Sequence, residues 1–172
     1  MFTRLLQALG WVTKEEREGR RIDYGSSLCV TGIRNKSEFL VNMLDLVPDG
    51  SVWSIEGIHD EQILADLAPY RTTDDVRVIK ATVWPRQTQI KVLLNTESKP
   101  GIIELLPAWD LNLNFIHQHI YYGEDFLLTS HDNLADGITY LSPALDRSRL
   151  DSLAQAGLFT FVETQSDSPA TS

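Results

Sequence analysis

The sequence predicts an α+β fold: a single domain over residues 1–163, with a mainly antiparallel sheet and helices packed on one face, and a disordered polar tail over 164–172. Three observations predict it. Four segments carry apolar residues at helical spacing. Residues 76–141 read instead as short strand-like runs joined by turns, without the helix after each strand that a parallel sheet requires. The chain has 172 residues, 42% hydrophobic and 23% charged, which is a globular balance at the length of one domain.

Each element follows in order. Phe2, Leu5, Leu6 and Leu9 lie on one side of a helix over 2–10, which Gly10 stops. Gln7 interrupts its apolar stretch and no small-residue cleavage site follows, so it reads as an amphipathic helix and not a signal peptide. The charged segment 14–21 reads as an exposed turn or helix end. Residues 27–33 form a short buried strand. Asn35 or Ser37 caps a helix with Phe39, Leu40, Met43, Leu44 and Val47 as its apolar stripe, and Pro48-Asp49-Gly50 ends it. Val52, Trp53, Ile55 and Ile58 mark a strand. Asp60 then caps a helix facing inward through Ile63, Leu64, Leu67 and Ala68, which Pro69 ends.

Residues 76–84 alternate with period two, turn at Pro85-Arg86-Gln87-Thr88 and return over 89–94, which predicts a β-hairpin. Residues 101–110 leave helix and strand both open, because Ile102 to Leu106 is too short to separate them. Strands are expected over 111–122, 126–130 and 138–141, with turns at Gly123-Glu124-Asp125 and between Asp132 and Gly137. Asp146 or Ser148 opens a last helix with Leu150, Leu153 and Ala154 inside and Gly157 at its end. Residues 158–162 close the chain as a strand.

Composition narrows function. The net charge of −9 disfavours nucleic acid, which needs clustered Lys and Arg, and anionic lipid. It favours a basic protein partner. No apolar run reaches the roughly 20 residues of a membrane helix. Cys29 is the only cysteine, so no internal disulfide or multi-cysteine metal site can form, and a cytoplasmic setting is expected. Cys29 itself, between Leu28 and Val30, reads as a small packed hydrophobe.

No phosphate-binding glycine loop, no G-x-S-x-G nucleophile elbow and no cofactor signature is present. Ser130-His131-Asp132 therefore reads as a turn and not as part of a catalytic triad. One cluster could carry chemistry. His117 and His119, two apart on a strand, share a face with Phe115 and Tyr121, and His131 arrives from the returning strand. Those three histidines could hold zinc or copper, or form a half-buried aromatic face bonded to backbone and water.

The second cluster is a recognition surface. Tyr121, Tyr122, Glu124 and Asp125, with Trp84 at the end of its strand, combine aromatic contact area with acids that pair with Lys or Arg. The expectation is thus a protein-binding module without catalysis. In acidity, size and lack of catalytic motifs the chain is similar to small bacterial immunity proteins, although no motif matches residue by residue. That similarity implies a basic toxin, such as a nuclease, as the partner. The alternatives are a metal-dependent protein built on His117, His119 and His131, and a subunit of a cytoplasmic assembly, including a homodimer.

Overall fold

The structure is a computed structural model and describes residues 26–73 and 88–164. The helix expected over 2–10, the charged segment after it, the strand arm 76–84 with Trp84, and residues 165–172 lie outside the described residues. Within them the chain runs β1 (Leu28–Thr31), α1 (Lys36–Leu46), β2 (Ser51–Glu56), α2 (Glu61–Leu67), β3 (Gln89–Leu94), α3 (Ser98–Leu105), β4 (His117–Tyr122), β5 (Asp125–Ser130), β6 (Thr139–Leu141), α4 (Arg147–Gln155) and β7 (Thr160–Glu163). The seven strands form one sheet in the order β3-β2-β4-β5-β6-β1-β7, and every neighbouring pair is antiparallel.

Local chemistry sets the helices. Asn35 caps α1 by accepting the Glu38 N–H at 3.1 Å, and Phe39, Leu40, Met43 and Leu44 bury its stripe. Asp60 caps α2 by accepting the Gln62 N–H at 2.8 Å. Pro69 then turns the chain into a short 3-10 helix, Ala68–Tyr70. Of residues 101–110, open between helix and strand in the sequence, 101–105 complete α3 and Leu106–Ala108 form a 3-10 helix, whereas Trp109 and Asp110 lie beyond it. α3 starts earlier than Pro100 because the Asn95 side chain accepts the N–H groups of Glu97 and Ser98, both at 2.9 Å. Pro100 sits in the first turn, where no donor is needed. Asp146 caps α4. Gly157 ends it in a left-handed conformation, φ +78°.

The sheet has two different faces. One carries the row Val92, Trp53, Ile120, Leu128, Leu141, Leu28 across six strands. Phe39 of α1, Ile63 of α2, Ile102 of α3 and Leu150 of α4 join this row in one hydrophobic core, so the helices pack on this face. The next row on the same face holds three polar residues, Gln118, Ser130 and Thr139. Gln118 accepts the Trp53 indole N–H at 3.1 Å, and the hydroxyls of Ser130 and Thr139 bond at 2.8 Å. The opposite face carries Lys91, Ser54, His119, Thr129, Tyr140, Cys29 and Val162 in one row across all seven strands.

The strand expected over 111–122 begins only at His117. Residues 111–116 are instead a folded loop. Asn112 N–H and Asp110 make an Asx turn at 2.9 Å, and the Asn114 side chain accepts the N–H groups of His59 and Asp60 at 2.9 and 3.1 Å. Phe115 is left-handed, φ +64°, and stacks between Trp53 and Trp109 at centroid distances of 5.4 and 5.7 Å. It therefore lies in the core and not on the histidine face. Of the expected hairpin, the described arm is β3. It pairs along its length with β2, and Arg71 and Thr72 meet its other edge, with Thr72 N–H to Lys91 O at 2.9 Å.

Removing the Phe115 ring empties the space between two tryptophans. We expect Phe115→Ala to lower stability by about 3–5 kcal/mol in urea unfolding. Leu113→Ala, at a side chain 68% exposed, should stay within about 0.5 kcal/mol.

Candidate functional site

The β4–β5 hairpin carries both clusters that the sequence singles out, one at each end. At the open end, β4 starts with His117 and β5 runs out into His131. The structure brings all three histidines together. The His131 ring lies 5.1 Å from that of His117 and 5.7 Å from that of His119. His117 and His131 face each other through their Nδ1 atoms at 3.1 Å. His119 is buried, its Nδ1 2.9 Å from the Thr129 hydroxyl, which is its register partner across the hairpin. Its ring also meets Phe126 edge-on at 5.8 Å.

Two facing Nδ1 atoms at hydrogen-bond distance share a single proton. One ring donates and the other accepts. Among the described residues, no group of three or more His, Cys, Asp or Glu side chains is arranged to hold a metal ion. His119 differs from the pair in its partner: its Nδ1 is engaged by Thr129 and not by another imidazole.

The turn behind His131 is tightly specified. Asp132, Asn133 and Leu134 are successive left-handed residues, with φ of 47, 60 and 60°. L-residues rarely adopt such a run, and it persists here because other contacts fix it. Asn133 N–H donates to Ile116 O at 3.1 Å, and its side-chain amide donates to Asn114 O at 2.6 Å. On the other flank, Gly57 (φ +75°) lets Ile116 approach so closely that a Cβ there would lie 2.6 Å from the isoleucine side chain. Of the run read as a turn, Ser130 is instead the last residue of β5, with its hydroxyl bonded to that of Thr139, and the turn begins only at Asp132.

Burial disfavours the imidazolium form throughout the cluster. His119 is pushed down to about 3, first by burial and then by its neighbours His131 and His117. His117 is lowered by burial and by His131, against an opposing pull from the Asp132 carboxylate. His131 is lowered by burial, again opposed by Asp132.

At the closed end of the hairpin the structure separates the two tyrosines. Tyr121 faces the histidine side of the sheet, packs against Phe126 at 5.9 Å and is only 1% exposed, so it cannot contribute to a docking surface. Tyr122, on the alternate face and past the end of the core, is 49% exposed. With Gly123 (φ +56°), Glu124 and Asp125, all exposed, it forms the hairpin tip. A groove of about 350 Å³ runs from Glu124 and Asp125 past Thr129 and Tyr140 to Ser142. Trp84, the fifth residue expected at this surface, lies outside the described residues.

Sequence reasoning did not name Thr129, Asn133 or Asn114 for this site. Their roles depend on register and on a long-range loop contact. Glu56, buried and the register partner of His117, was likewise not singled out. Cys29 is a half-buried free thiol beside Tyr140, on the sheet face away from the helices and outside the hydrophobic core. Compared with protein-family models, with curated proteins and with solved structures, the chain matches none.

The depressed histidines make stability pH-dependent. Unfolding raises His119 from about 3 to its ordinary 6.5, so the unfolded chain binds a proton that the folded one excludes. Its contribution is complete above about pH 6.5 and is lost as pH falls toward 3. Urea midpoints should therefore drop from about pH 7 to about pH 5, and His119→Gln should flatten that slope by up to about 1.4 kcal/mol per pH unit. An unchanged slope in the variant would show that His119 is not the group responsible.

Proposed function

We propose that this protein is a non-catalytic binding module that docks a basic protein on the tip of the β4–β5 hairpin. One observation carries the reading: at the hairpin tip Tyr122 stands 49% exposed, and the neighbouring Glu124 and Asp125 line a groove of about 350 Å³ on the other face of the hairpin. A half-exposed tyrosine flanked by acids offers rigid contact area together with carboxylates for Lys or Arg. The groove that the two acids line is large enough to accept a long cationic side chain. The charge balance works in the same direction. Lys99 is paired with Asp49, Arg147 with Asp151 and Glu163, and Arg149 with Asp45, so these cations are already compensated. The net −9 then speeds encounter with a positively charged partner.

The specific form of this proposal is an immunity-type inhibitor acting in the cytoplasm, which covers the anion-binding surface of a basic toxin such as a nuclease. No helix among the described residues is long and apolar enough to cross a membrane. Calorimetric titration against a panel of basic nuclease domains tests it. We expect one partner to bind with an affinity that falls at least about tenfold between about 50 and 500 mM salt. Tyr122→Ala and Asp125→Lys should each weaken that binding by about tenfold or more. A panel without a binder, or a binder indifferent to salt and to both substitutions, removes the reading.

Self-association through a sheet edge is a second reading, favoured by β7. Among the described residues β7 pairs only with β1, and Val162 on it is 56% exposed. Light scattering of the wild type and of Val162→Lys distinguishes it. A dimer that the lysine breaks supports edge pairing, and a monomeric wild type rejects it.

A further inference from the structure

We propose that His117 and His131 form a chelating site for a borderline divalent transition-metal cation, zinc, nickel or copper, bound through their two Nδ1 atoms. The separation of those atoms is the main argument. Imidazole nitrogens bind such ions at about 2.0–2.1 Å, so two adjacent ligands stand about 2.9–3.4 Å apart at angles between square and tetrahedral. The observed 3.1 Å lies within that range. The two rings need to move little to exchange their shared proton for a cation.

The rings are also held in place. His117 is fixed by the β2–β4 and β4–β5 pairings around it. His131 is fixed by its N–H to Ile138 O at 3.3 Å and by the left-handed turn that follows, which Asn133 ties to the loop before β4. A chelate whose ligands are prepositioned loses little freedom on binding. Both rings are half-buried, which leaves room for water at the remaining coordination positions. The exposed Asp132 carboxylate, close enough to act on both rings, adds favourable charge. His119 is assigned no ligand role here, because no group of three His, Cys, Asp or Glu side chains among the described residues is arranged to hold a metal ion.

The proton balance is simple. Of two neutral rings, one carries its proton on Nδ1 and the other on Nε2. Binding requires the first to move its proton to Nε2, after which both Nδ1 lone pairs point at the metal. No net proton is released. Two nitrogen donors suit zinc, nickel and copper, whereas magnesium prefers oxygen ligands and should not bind. The site lies at the far end of the hairpin from Tyr122 and is independent of the docking proposal.

The test uses the full chain without a histidine tag, titrated calorimetrically with zinc, nickel and copper chlorides, with magnesium chloride as control. One cation per chain is expected for each of the three metals, together with a zinc-dependent rise in melting temperature. His117→Gln and His131→Gln should each weaken binding about tenfold or more, while Tyr122→Ala should leave it unchanged. Absence of binding by all three metals at about 1 mM, or binding retained within about twofold in the double variant, overturns the proposal. Ring nitrogen NMR on the wild type keeps the test decisive if the variants do not fold. Zinc should shift the signals of two of the four imidazoles, and a shift of one or none overturns it.

Discussion

The stack of Phe115 between Trp53 and Trp109 is the contact on which the rest of the arrangement depends. It holds a left-handed residue two positions before the start of β4 and so fixes where that strand begins. Strand side chains alternate, and a shift of one residue would exchange every side chain of β4 between the two faces. With β4 starting at His117, Gln118 and Ile120 turn to the helices while His117, His119 and Tyr121 turn away. The same loop supplies Asn114, which holds the start of α2, and a carbonyl for Asn133 behind His131. One aromatic contact thus sets strand register, helix start and histidine position together.

The hairpin that results has ends with different chemistry. At its open end, one buried and two half-buried imidazoles have their charged form disfavoured by loss of solvent and make specific hydrogen bonds. At its closed end the sheet runs past its own core, and a tyrosine and two acids stand in water. The strands between carry the polar trio Gln118, Ser130 and Thr139 into the helix-covered face. Burying such groups is costly unless they are bonded; Gln118 Oε1 accepts from Trp53 and the hydroxyls of Ser130 and Thr139 bond each other, while Gln118 Nε2 is buried without a partner among the described residues.

What the sequence made legible was local. The stripes and caps of α1, α2 and α4 are written within a dozen residues each, and the structure places them where Asn35, Asp60 and Asp146 indicate. The start of β4 was not legible. Leu111, Leu113, Phe115, His117, His119 and Tyr121 alternate without a break, so periodicity alone extends the strand too far. The override is tertiary, an aromatic slot built by Trp53 and Trp109, which are distant in sequence. The choice between Tyr121 and Tyr122 failed for a related reason. Adjacent residues at a strand end differ only in which face they take, and that is decided by register. The approach of the histidines was legible from spacing plus a returning strand. Thr129 as the partner of His119 was not, because a bulge between Ile120 and Tyr121 shifts the pairing along the hairpin. Similarly, Leu158 and Phe159 look like strand residues but are core anchors, with Phe159 edge-on to Phe39 at 5.3 Å, and β7 begins after them.

The strand order also sets a timetable. β1 is the earliest described strand in the chain, yet among the described residues it pairs only with β6 and β7, more than a hundred residues later. β2, β3, β4 and β5 can assemble and cover their helices before either partner of β1 exists. On a ribosome, Leu28 and Val30 would wait, apolar and unpaired, until the last fifth of the described chain, which begins with β6, emerged. Closing so long a loop is slow, and an exposed strand is prone to mispairing while it lasts. The sheet is therefore completed by joining the first described strand to the last two, and loss of β7 would turn β1, left with β6 alone, into the sheet's edge among the described residues.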